Sequence, residues 1–544
     1  MRKLLFISAV LLSINTLYAQ WTNNPAQNTM FATGNTNYEE IKISSHVQSG
    51  STYVQWIGPY ANGWSVSVQK IDSLGNPLWG TEGVHISGQE FNTYSAGVSM
   101  AALADGGVVS CFANIAGQCI VVKIDDEGNF AWGEQGIVAL ATNSCSRTQI
   151  VAGHNGGFWV MAQDVESLHF RYYHSDGTPG SNQITISDEN GIRIAFGQMV
   201  LDDNDHVFAV YMKQQYDVAS YFNKSICVAK YGTDGTQLSQ EEQLMATVSI
   251  SGQICHSACS DGMGGGYVWI SHPALNDFFE VYLFHFDSNG HSTISDPTGV
   301  IVSQPDGVHY HFVPDATLHP TSHDLLMVFN EVDAYSQSYN AIRVNRITAN
   351  GTKVWGENGL EVVPAAQEDM SSFLIDAYPD GTGASIAYIL NDNSLMTIGI
   401  DANGTATWHT TAATSMNTET VILCEYASGF HNGQNIFAFQ GERNNIFGLY
   451  GQNIHQDGTL GSNSGTSVEE ADRTELSIYQ SGNTLCVEGA DVQQIELLNL
   501  AGQLVKVSNK NSHYLAIGNL PQGVYIARVF TRDGMTINRK VIVR

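Results

Sequence analysis

The sequence predicts an all-β fold, and three observations lead to this prediction. A turn centred on glycine recurs eight times along the 544 residues, at intervals of 49 to 61 residues. Short runs rich in β-branched and aromatic residues flank each turn, and no segment between 40 and 465 has a convincing helical period. Four short strands in each repeat are typical of a β-propeller blade, because such a sheet must cover both faces with neighbouring sheets. We therefore predict a β-propeller of eight blades, with seven as the alternative, followed by a small C-terminal β-sandwich.

The turn glycines define the repeat, which we expect to occupy residues 20–463. They are Gly75, Gly128, Gly177, Gly235, Gly290, Gly351, Gly404 and Gly458. Asn-Gly and Asp-Gly pairs can adopt positive φ at both central positions, which we expect a tight hairpin here to require. Tryptophan follows the glycine by four residues in four repeats, and we expect it to pack between neighbouring sheets and not to stack on sugars. The predicted structural repeat residues are Gly75, Trp79, Gly128, Trp132, Gly351, Trp355, Gly404, Trp408 and Gly458.

The charge is distributed unevenly along the chain. Residues 21–472 carry 13 Lys and Arg against 47 Asp and Glu, whereas residues 473–544 carry 8 against 5. An acidic body of this size repels phosphate backbones, so we expect no nucleic-acid partner.

The N-terminus has the features of a secretory signal peptide. Arg2 and Lys3 precede a short apolar run, and a small residue at Ala19 marks the expected cleavage point. We predict a signal peptide at 1–19, too short to span a membrane, and no transmembrane segment after it. An exported protein can form disulfides. Cys111 and Cys119 are candidates for a pair across one hairpin, and Cys255 and Cys259 for another, although most cysteines are expected to be buried apolar residues.

Few residues suggest a metal or catalytic site. His309 and His311 alternate on a predicted strand and would face the same side, as two metal-binding imidazoles can. Residues 201–206 and 391–394 contain clustered oxygen donors, but neither fits a calcium-binding loop, and both suit strand-linking turns. We expect no cofactor, and structural calcium is the alternative.

The composition changes after Asn463. Residues 464–474 are expected to form a linker, and 475–544 a separate β domain. Its segments IELLNLAGQLVK, LPQGVYIARV and RKVIVR resemble the conserved blocks of the C-terminal sorting domain of the type IX secretion system of the Bacteroidota. The residues that carry this sorting motif are Leu500, Gly502, Pro521, Gly523, Tyr525, Lys540 and Arg544. One departure is the final Arg544, where lysine is also common in the family. The resemblance implies that the type IX machinery is a partner and that the protein is secreted or placed on the cell surface.

The repeat body has no recognisable catalytic motif. We therefore favour an exported binding or adhesion protein, whose ligand is an unknown glycan or protein. The alternative is a hydrolase or lyase acting on polysaccharide, which rests on fold analogy alone. A structural spacer of the cell surface is a third hypothesis.

Overall fold

The computed structural model divides the chain into two compact units, Met1–Ser462 and Asn463–Arg544. It describes residues 21–543, and within this range it contains strands and turns but no helix. The gaps in the description are 34–38, 47–49, 61–62, 89, 92–96, 143, 188–190, 217–221, 251–255, 274–277, 337–339, 367–369, 415–425, 432, 444–445, 463–476, 482–483, 489–491, 500–502 and 533–535. The predicted signal peptide and linker lie outside the described residues.

The described part of the first unit forms eight four-stranded antiparallel sheets. Strand β1 (Thr29–Thr33) precedes sheet 1. Sheet 1 contains β2 (Glu39–His46), β3 (Ser51–Tyr60), β4 (Gly63–Ile71) and β5 (Val84–Ile86). Sheet 2 contains β6 (Ser99–Ala102), β7 (Val108–Ala113), β8 (Cys119–Ile124) and β9 (Ile137–Leu140). Sheet 3 contains β10 (Arg147–Ala152), β11 (Phe158–Gln163), β12 (Leu168–Tyr173) and β13 (Ile184–Ile186). Sheet 4 contains β14 (Ile192–Leu201), β15 (Val207–Tyr216), β16 (Phe222–Tyr231) and β17 (Glu242–Ile250).

The remaining sheets follow the same order along the chain, except that the last is completed by β1. Sheet 5 contains β18 (His256–Ser260), β19 (Gly266–Pro273), β20 (Phe279–Phe286) and β21 (Val300–Ile301). Sheet 6 contains β22 (His309–Leu318), β23 (Leu325–Asp333), β24 (Asn340–Ile347) and β25 (Leu360–Ala366). Sheet 7 contains β26 (Met370–Ala377), β27 (Gly383–Leu390), β28 (Leu395–Asp401) and β29 (Ala406–Ala413). Sheet 8 contains β30 (Tyr426–His431), β31 (Gln434–Arg443), β32 (Ile446–His455) and β1.

The ring is closed by the N-terminal strand. β1 pairs antiparallel with β32, so that Thr29 lies opposite Gly451 and Thr33 opposite Gly448. The first strand of each sheet contacts the first strand of the next, and β2 in turn contacts β30. These first strands are therefore the inner strands around a central channel. The prediction of an all-β propeller is confirmed.

The apolar core is divided among the interfaces between sheets. Eight clusters of buried residues each join two neighbouring sheets; one of them joins sheet 8 to sheet 1 through Phe31, Trp56 and Ile436. Because no sheet has an apolar core of its own, the ring is stabilised mainly by contacts between neighbouring sheets.

The recurring turns differ from the prediction in one respect. Each of the eight glycines has φ between 80° and 90°, but the residue before it does not have positive φ, so the prediction of two such residues is wrong. In the first turn, the Gly75 amide donates to the Asp72 carbonyl (3.0 Å) and the Asp72 amide donates to the Asn76 carbonyl (3.1 Å). This pattern fits a three-residue hairpin loop, in which a type I turn is followed by one left-handed residue.

In most of these turns an aspartate carboxylate accepts hydrogen bonds from the backbone of the turn. The aspartate is either the first residue of the turn or the residue directly before the glycine. The Asp72 carboxylate accepts bonds from the amides of Leu74 (2.9 Å) and Asn76 (2.8 Å). In the last turn the first residue is a histidine, and Asp457, directly before the glycine, accepts the Thr459 amide (3.0 Å) and hydroxyl (2.6 Å) instead. Such local bonds to the backbone explain why the turn is so visible in the sequence.

The repeated tryptophans lie between sheets, each against the turn glycine of the following sheet. A Cβ atom placed at Gly458 would lie 2.6 Å from Trp408 Cδ2, and one at Gly128 would lie 3.1 Å from Trp79 Cδ1. The Trp408 indole also donates to the carbonyl of Gln456 (2.7 Å). Trp132 and Trp355 contact Gly177 and Gly404 in the same way.

Substitution of Gly458 by alanine tests this packing. We expect a loss of about 1–2 kcal/mol from placing a Cβ at positive φ, and a further ~1–3 kcal/mol from the clash with Trp408. Gly80→Ala is the matched control, because Gly80 has φ 79° and no atom within 4 Å of its would-be Cβ. Urea unfolding would show a clearly larger loss for Gly458→Ala; equal losses would mean that the tryptophan contact contributes little.

The described part of the second unit forms two further sheets. One contains β33 (Ser477–Ser481), β34 (Thr484–Glu488) and β37 (Tyr514–Ala516), and the other contains β35 (Val492–Leu498), β36 (Leu504–Val507), β38 (Gly523–Thr531) and β39 (Thr536–Val543). A single apolar cluster includes Leu485 and Leu515 from the first sheet and Ile495 and Val529 from the second. The two sheets therefore share one core, as in a β-sandwich.

Candidate functional site

The two faces of the ring carry different connections. The face that we call the turn face carries the eight glycine turns and the turns between the first and second strands of each sheet. The opposite face, the loop face, carries connections between sheets, such as 302–308, and loops between second and third strands, such as 114–118 and 164–167. Residues that bind ligands occur most often in loops that a rigid scaffold holds in place.

The turn face is occupied by contacts that fasten one sheet to the next. Lys70 Nζ donates to the backbone and carboxylate of Asp126 in the turn of the next sheet. Lys123 and Lys230 do the same with the carbonyls of Ser175 and Ser288, each at 2.8 Å. These lysines are thus engaged in fixing the ring.

The channel contains two cavities, both bounded by inner strands. The turn-face cavity, of about 510 Å³, is lined mainly by small and apolar residues, including Ser44, Met100 and Ala102. The loop-face cavity, of about 340 Å³, is bounded by sheets 1 to 4 and is more polar. Its polar lining residues include Glu40, Lys42, Ser99, Arg147, Gln149 and Gln198. We take the loop-face cavity as the candidate site.

Two cations line the loop-face cavity, and their surroundings differ. Lys42 Nζ lies 3.2 Å from the Glu40 carboxylate and forms an ion pair with it. The Arg147 guanidinium lies 5.3 Å from the centre of the Phe196 ring, a cation–π contact. Among the described residues, no carboxylate pairs with Arg147.

Phe196 is placed by a β-bulge in its inner strand. The register of β14 with β15 shifts between Ala195 and Gln198, and Phe196 has φ 55°. Such a conformation is rare for a bulky residue, and bulges often re-aim a side chain beside a site. Glu40 and Ser372 have similar φ at corresponding bulges in sheets 1 and 7.

A buried cluster of acids around one histidine joins sheets 5 and 6. His311 Nδ1 lies 2.7 Å from Glu280 Oε2, and its Nε2 lies 3.3 Å from Glu331 Oε2. Glu331 also lies 3.5 Å from Arg343 Nε. Burial lowers the pKa of His311, but the two carboxylates outweigh burial and raise it to about 9. The imidazolium therefore acts as a cation that fixes both carboxylates.

Beside this cluster, aromatic rings crowd the loop face. Phe279 and Tyr310 meet edge to face at 6.1 Å, and Phe278 and Phe312 each contact Tyr310 as well. Because these rings pack on one another at steep angles, they stabilise the junction of sheets 5 and 6.

Inner strands are linked across the channel wall by side chains that accept backbone N–H groups of the next sheet. Ser44 Oγ accepts the Ala102 amide, and Gln149 Oε1 accepts the Met199 amide, at 2.9 and 2.8 Å. Asp315 Oδ2 accepts the Ile375 amide at 2.9 Å. These bonds satisfy donors on strand edges that would otherwise be exposed in the channel.

The carboxyl group of Asp315 should make stability depend on pH. Although Asp315 keeps partial solvent access, burial raises its pKa to about 7, so the folded protein holds this proton more tightly than the unfolded chain does. The resulting stabilisation is fully present below the ordinary pKa of 3.8 and is lost as pH rises through about 7. At pH 8 we expect Asp315→Asn to be more stable than the parent by at least about 1 kcal/mol, and therefore to unfold at a higher temperature. At pH 4 the difference in stability should be smaller. Asp203→Asn, in an exposed turn, is the control; a constant difference across pH would contradict the assignment.

The other sequence-predicted metal and disulfide sites do not assemble as such. His309 contacts Asp306 at the surface (2.5 Å), whereas His311 is buried among acids, so the two share no ligand. In 201–206, Asp202 accepts the Asn204 and His206 amides and pairs with Lys230. In 391–394, Asp392 accepts the Ser394 amide. Across the described residues, no group of three or more His, Cys, Asp or Glu side chains is arranged to hold a metal ion.

The cysteines that the structure describes are free thiols. Cys111 and Cys119 lie on neighbouring strands, as predicted, with Sγ atoms 3.5 Å apart. Cys255 lies outside the described residues, so its pairing with Cys259 stays a prediction.

The predicted sorting residues lie in the second unit. The Tyr525 hydroxyl donates to the Pro521 carbonyl (2.9 Å), and Gly523 begins β38. Lys540 lies on β39 opposite Ile526. Leu500, Gly502 and Arg544 lie outside the described residues. Their role in sorting stays a prediction.

The family described as the secretion system C-terminal sorting domain matches residues 476–544. The chain therefore carries a type IX sorting domain, which marks the protein for secretion or attachment to the cell surface. The described part of the chain contains no helix that is long and apolar enough to cross a membrane. No curated protein sequence matches the chain.

Solved structures with similar folds include the BP39L lectin from Burkholderia pseudomallei, at 12% identity, covering 68% of this chain and 99% of the lectin, with a TM-score of 0.45. The polysaccharide lyase Uly1 is 10% identical, with a TM-score of 0.42, and the match covers 81% of this chain and 99% of the lyase chain. A thermostable family-43 glycoside hydrolase is 10% identical, with a TM-score of 0.26, and the match covers 51% of this chain and 99% of the hydrolase chain. At these identities and TM-scores, the likeness carries no information about ligand or activity.

Proposed function

We propose that this protein is an exported, non-catalytic binding protein whose ligand, a glycan or a protein segment, enters the loop-face cavity. The observation that carries the proposal is the chemistry of that cavity. It offers hydrogen-bond donors from Arg147, Lys42 and Gln198 within about 340 Å³. A concave site with a few convergent polar groups is the usual form of a binding site.

The same cavity is poorly suited to glycoside hydrolysis. That reaction needs two carboxyl groups on either side of the scissile bond. Among the described residues that line the loop-face cavity, Glu40 is the one carboxylate, and it is paired with Lys42. The arrangement thus favours binding over turnover.

For the alternative enzyme we consider Glu280, His311 and Glu331, which combine two acids with a histidine. However, Glu280 is 0% and His311 1% exposed, so a polysaccharide cannot reach them. Their contacts with one another also explain their presence without a substrate. We therefore rank the hydrolase or lyase second, and the structural spacer third.

The experiment combines binding and turnover on the exported protein. Arrays of glycans and of surface proteins would measure binding, and release of reducing ends or unsaturated products would measure polysaccharide cleavage. We expect binding without cleavage, and weaker binding for Arg147→Ala. Lys510→Ala, which removes one exposed positive charge from the second unit, is the control. Cleavage that is lost in Glu331→Gln would support the enzyme, whereas neither binding nor cleavage would overturn the proposal in favour of the spacer.

A further inference from the structure

Positive charge is scarce in the propeller, which makes its use in the channel informative. Residues 21–472 contain 13 Lys and Arg against 47 Asp and Glu. Lys70, Lys123 and Lys230 fasten neighbouring turns, and Lys42 is paired with Glu40. In contrast, Arg147 lines a cavity without a carboxylate partner among the described residues. The presence of such a cation in a cavity of so acidic a body therefore needs an explanation.

The surroundings of Arg147 hold its guanidinium in a defined place. The ring of Phe196 lies beneath it at 5.3 Å, and the Phe196 amide donates to the buried Gln163 side chain at 2.8 Å. The next residue is glycine, and Leu168 and Met161 pack against it so closely that a Cβ at Gly197 would lie 2.4 Å from Leu168 Cδ1 and 2.8 Å from Met161 Sδ. The strained bulge is therefore supported from three directions. Strain that is maintained in this way commonly marks a functional position.

This arrangement of Arg147 and Phe196 is suited to binding an oxyanion. A guanidinium that stacks on an aromatic ring by its face keeps the N–H groups of its edge available, and these match the two oxygens of a carboxylate or a sulfate. Gln198 lies in the same cavity wall, where its side-chain oxygen Oε1 accepts a hydrogen bond from the side-chain Nε2 of Gln149 at 3.3 Å. Its own NH₂ group donates to no described residue and can serve as a neutral second donor.

We propose that the loop-face cavity recognises a glycan that carries an oxyanion group, a carboxylate or a sulfate, through Arg147. Phe196 is then a positioning residue that orients the guanidinium, and Gln198 provides the neutral donor. The inference rests on the proposed binding function and adds the chemical class of the ligand to it.

The acidic body gives this recognition an unusual salt dependence. At long range the net negative charge repels an anionic glycan, and this repulsion is screened over about 8–10 Å by physiological salt. The contact with Arg147 inside the cavity is screened much less. We therefore expect binding at about 0.5 M salt to be at least as strong as at about 0.05 M, the reverse of a protein that attracts anions by a basic surface.

The test uses matched pairs of oligosaccharides with the full exported protein. One arm compares a uronic-acid oligosaccharide with its carboxyl-reduced form, and the other compares a sulfated oligosaccharide with its desulfated form. We expect the intact protein to bind the charged member of one pair more tightly than the neutral member. The pair that shows this preference identifies the recognised group as a carboxylate or a sulfate. Arg147→Ala should weaken binding of the charged member by about 10- to 100-fold and leave the neutral member unchanged.

Two further variants separate recognition from general effects. Arg147→Lys keeps the charge but not the planar fork, and we expect an intermediate loss; Lys510→Ala should lose nothing. Thermal unfolding of each variant shows whether the ring is intact. Equal binding of charged and neutral members, or a preference that survives Arg147→Ala, would overturn the inference while leaving the binding function standing. No binding to any glycan or protein would overturn both.

Discussion

Replacing Phe31 with alanine is expected to destabilise the propeller by about 3–5 kcal/mol. Phe31 is 0% exposed and lies on β1, the strand that completes sheet 8 from the opposite end of the unit. Its ring packs over Gly451 so closely that a Cβ there would lie 1.9 Å away, and it meets Trp21 edge to face at 5.6 Å. Loss of the ring leaves a cavity where sheets 8 and 1 meet, so the ring closure itself is weakened.

Urea or thermal unfolding of the exported protein measures this effect. Tyr335→Ala is the matched control, since it also removes a large aromatic ring, but one that is 82% exposed. We expect that variant to change stability by less than about 0.5 kcal/mol. If Phe31→Ala behaved like Tyr335→Ala, β1 would not be the strand that closes the ring.

Replacing His311 with alanine is expected to cost about 3–5 kcal/mol, because it leaves a buried charge without a partner. Glu280 is completely buried, and its Oε1 atom has no hydrogen-bond partner among the described residues, so His311 is its main compensation. Replacing both residues together, as His311→Leu with Glu280→Leu, removes the buried charges and should recover much of the lost stability. A double variant no more stable than the single one would contradict this account.

The pH dependence of this cluster has a definite sign. The pKa of His311 is raised from 6.5 to about 9, so its stabilising contribution is fully present below pH 6.5 and is lost as pH rises through about 9. The parent protein should therefore lose stability between pH 7 and 10, and the double leucine variant should lack this part of the loss. Unfolding temperatures measured over this range provide the comparison, with activity playing no part in the readout.

The contrast between the two faces explains how the fold can serve binding. The turn face repeats the same lysine and tryptophan contacts from sheet to sheet, and these hold the inner strands in place. At the loop face these contacts do not recur among the described residues, and there the inner strands of sheets 3 and 4 bring Arg147 and Phe196 together. The contacts of the turn face therefore hold the inner strands that present Arg147 and Phe196 at the loop face.

The sequence made one residue of the buried acid cluster visible, but no residue of the candidate site. His311 drew notice because of the nearby histidines, but its partner Glu280 stood out in no way among 47 acids. Arg147 and Phe196 lie on separate repeats and carry no motif. The one sequence signal that could have indicated Arg147 is the rarity of arginine in residues 21–472.

The sequence by itself determined the repeat, the glycine turn that recurs in it and the sorting domain, because each of these depends on bonds or patterns within a few residues. It did not determine that β1 completes sheet 8, where the Gln452 side chain donates to the Thr22 carbonyl 430 positions away. Nor did it determine which side chains share the channel. Those pairings depend on how eight sheets pack around one axis, and no local propensity records that arrangement.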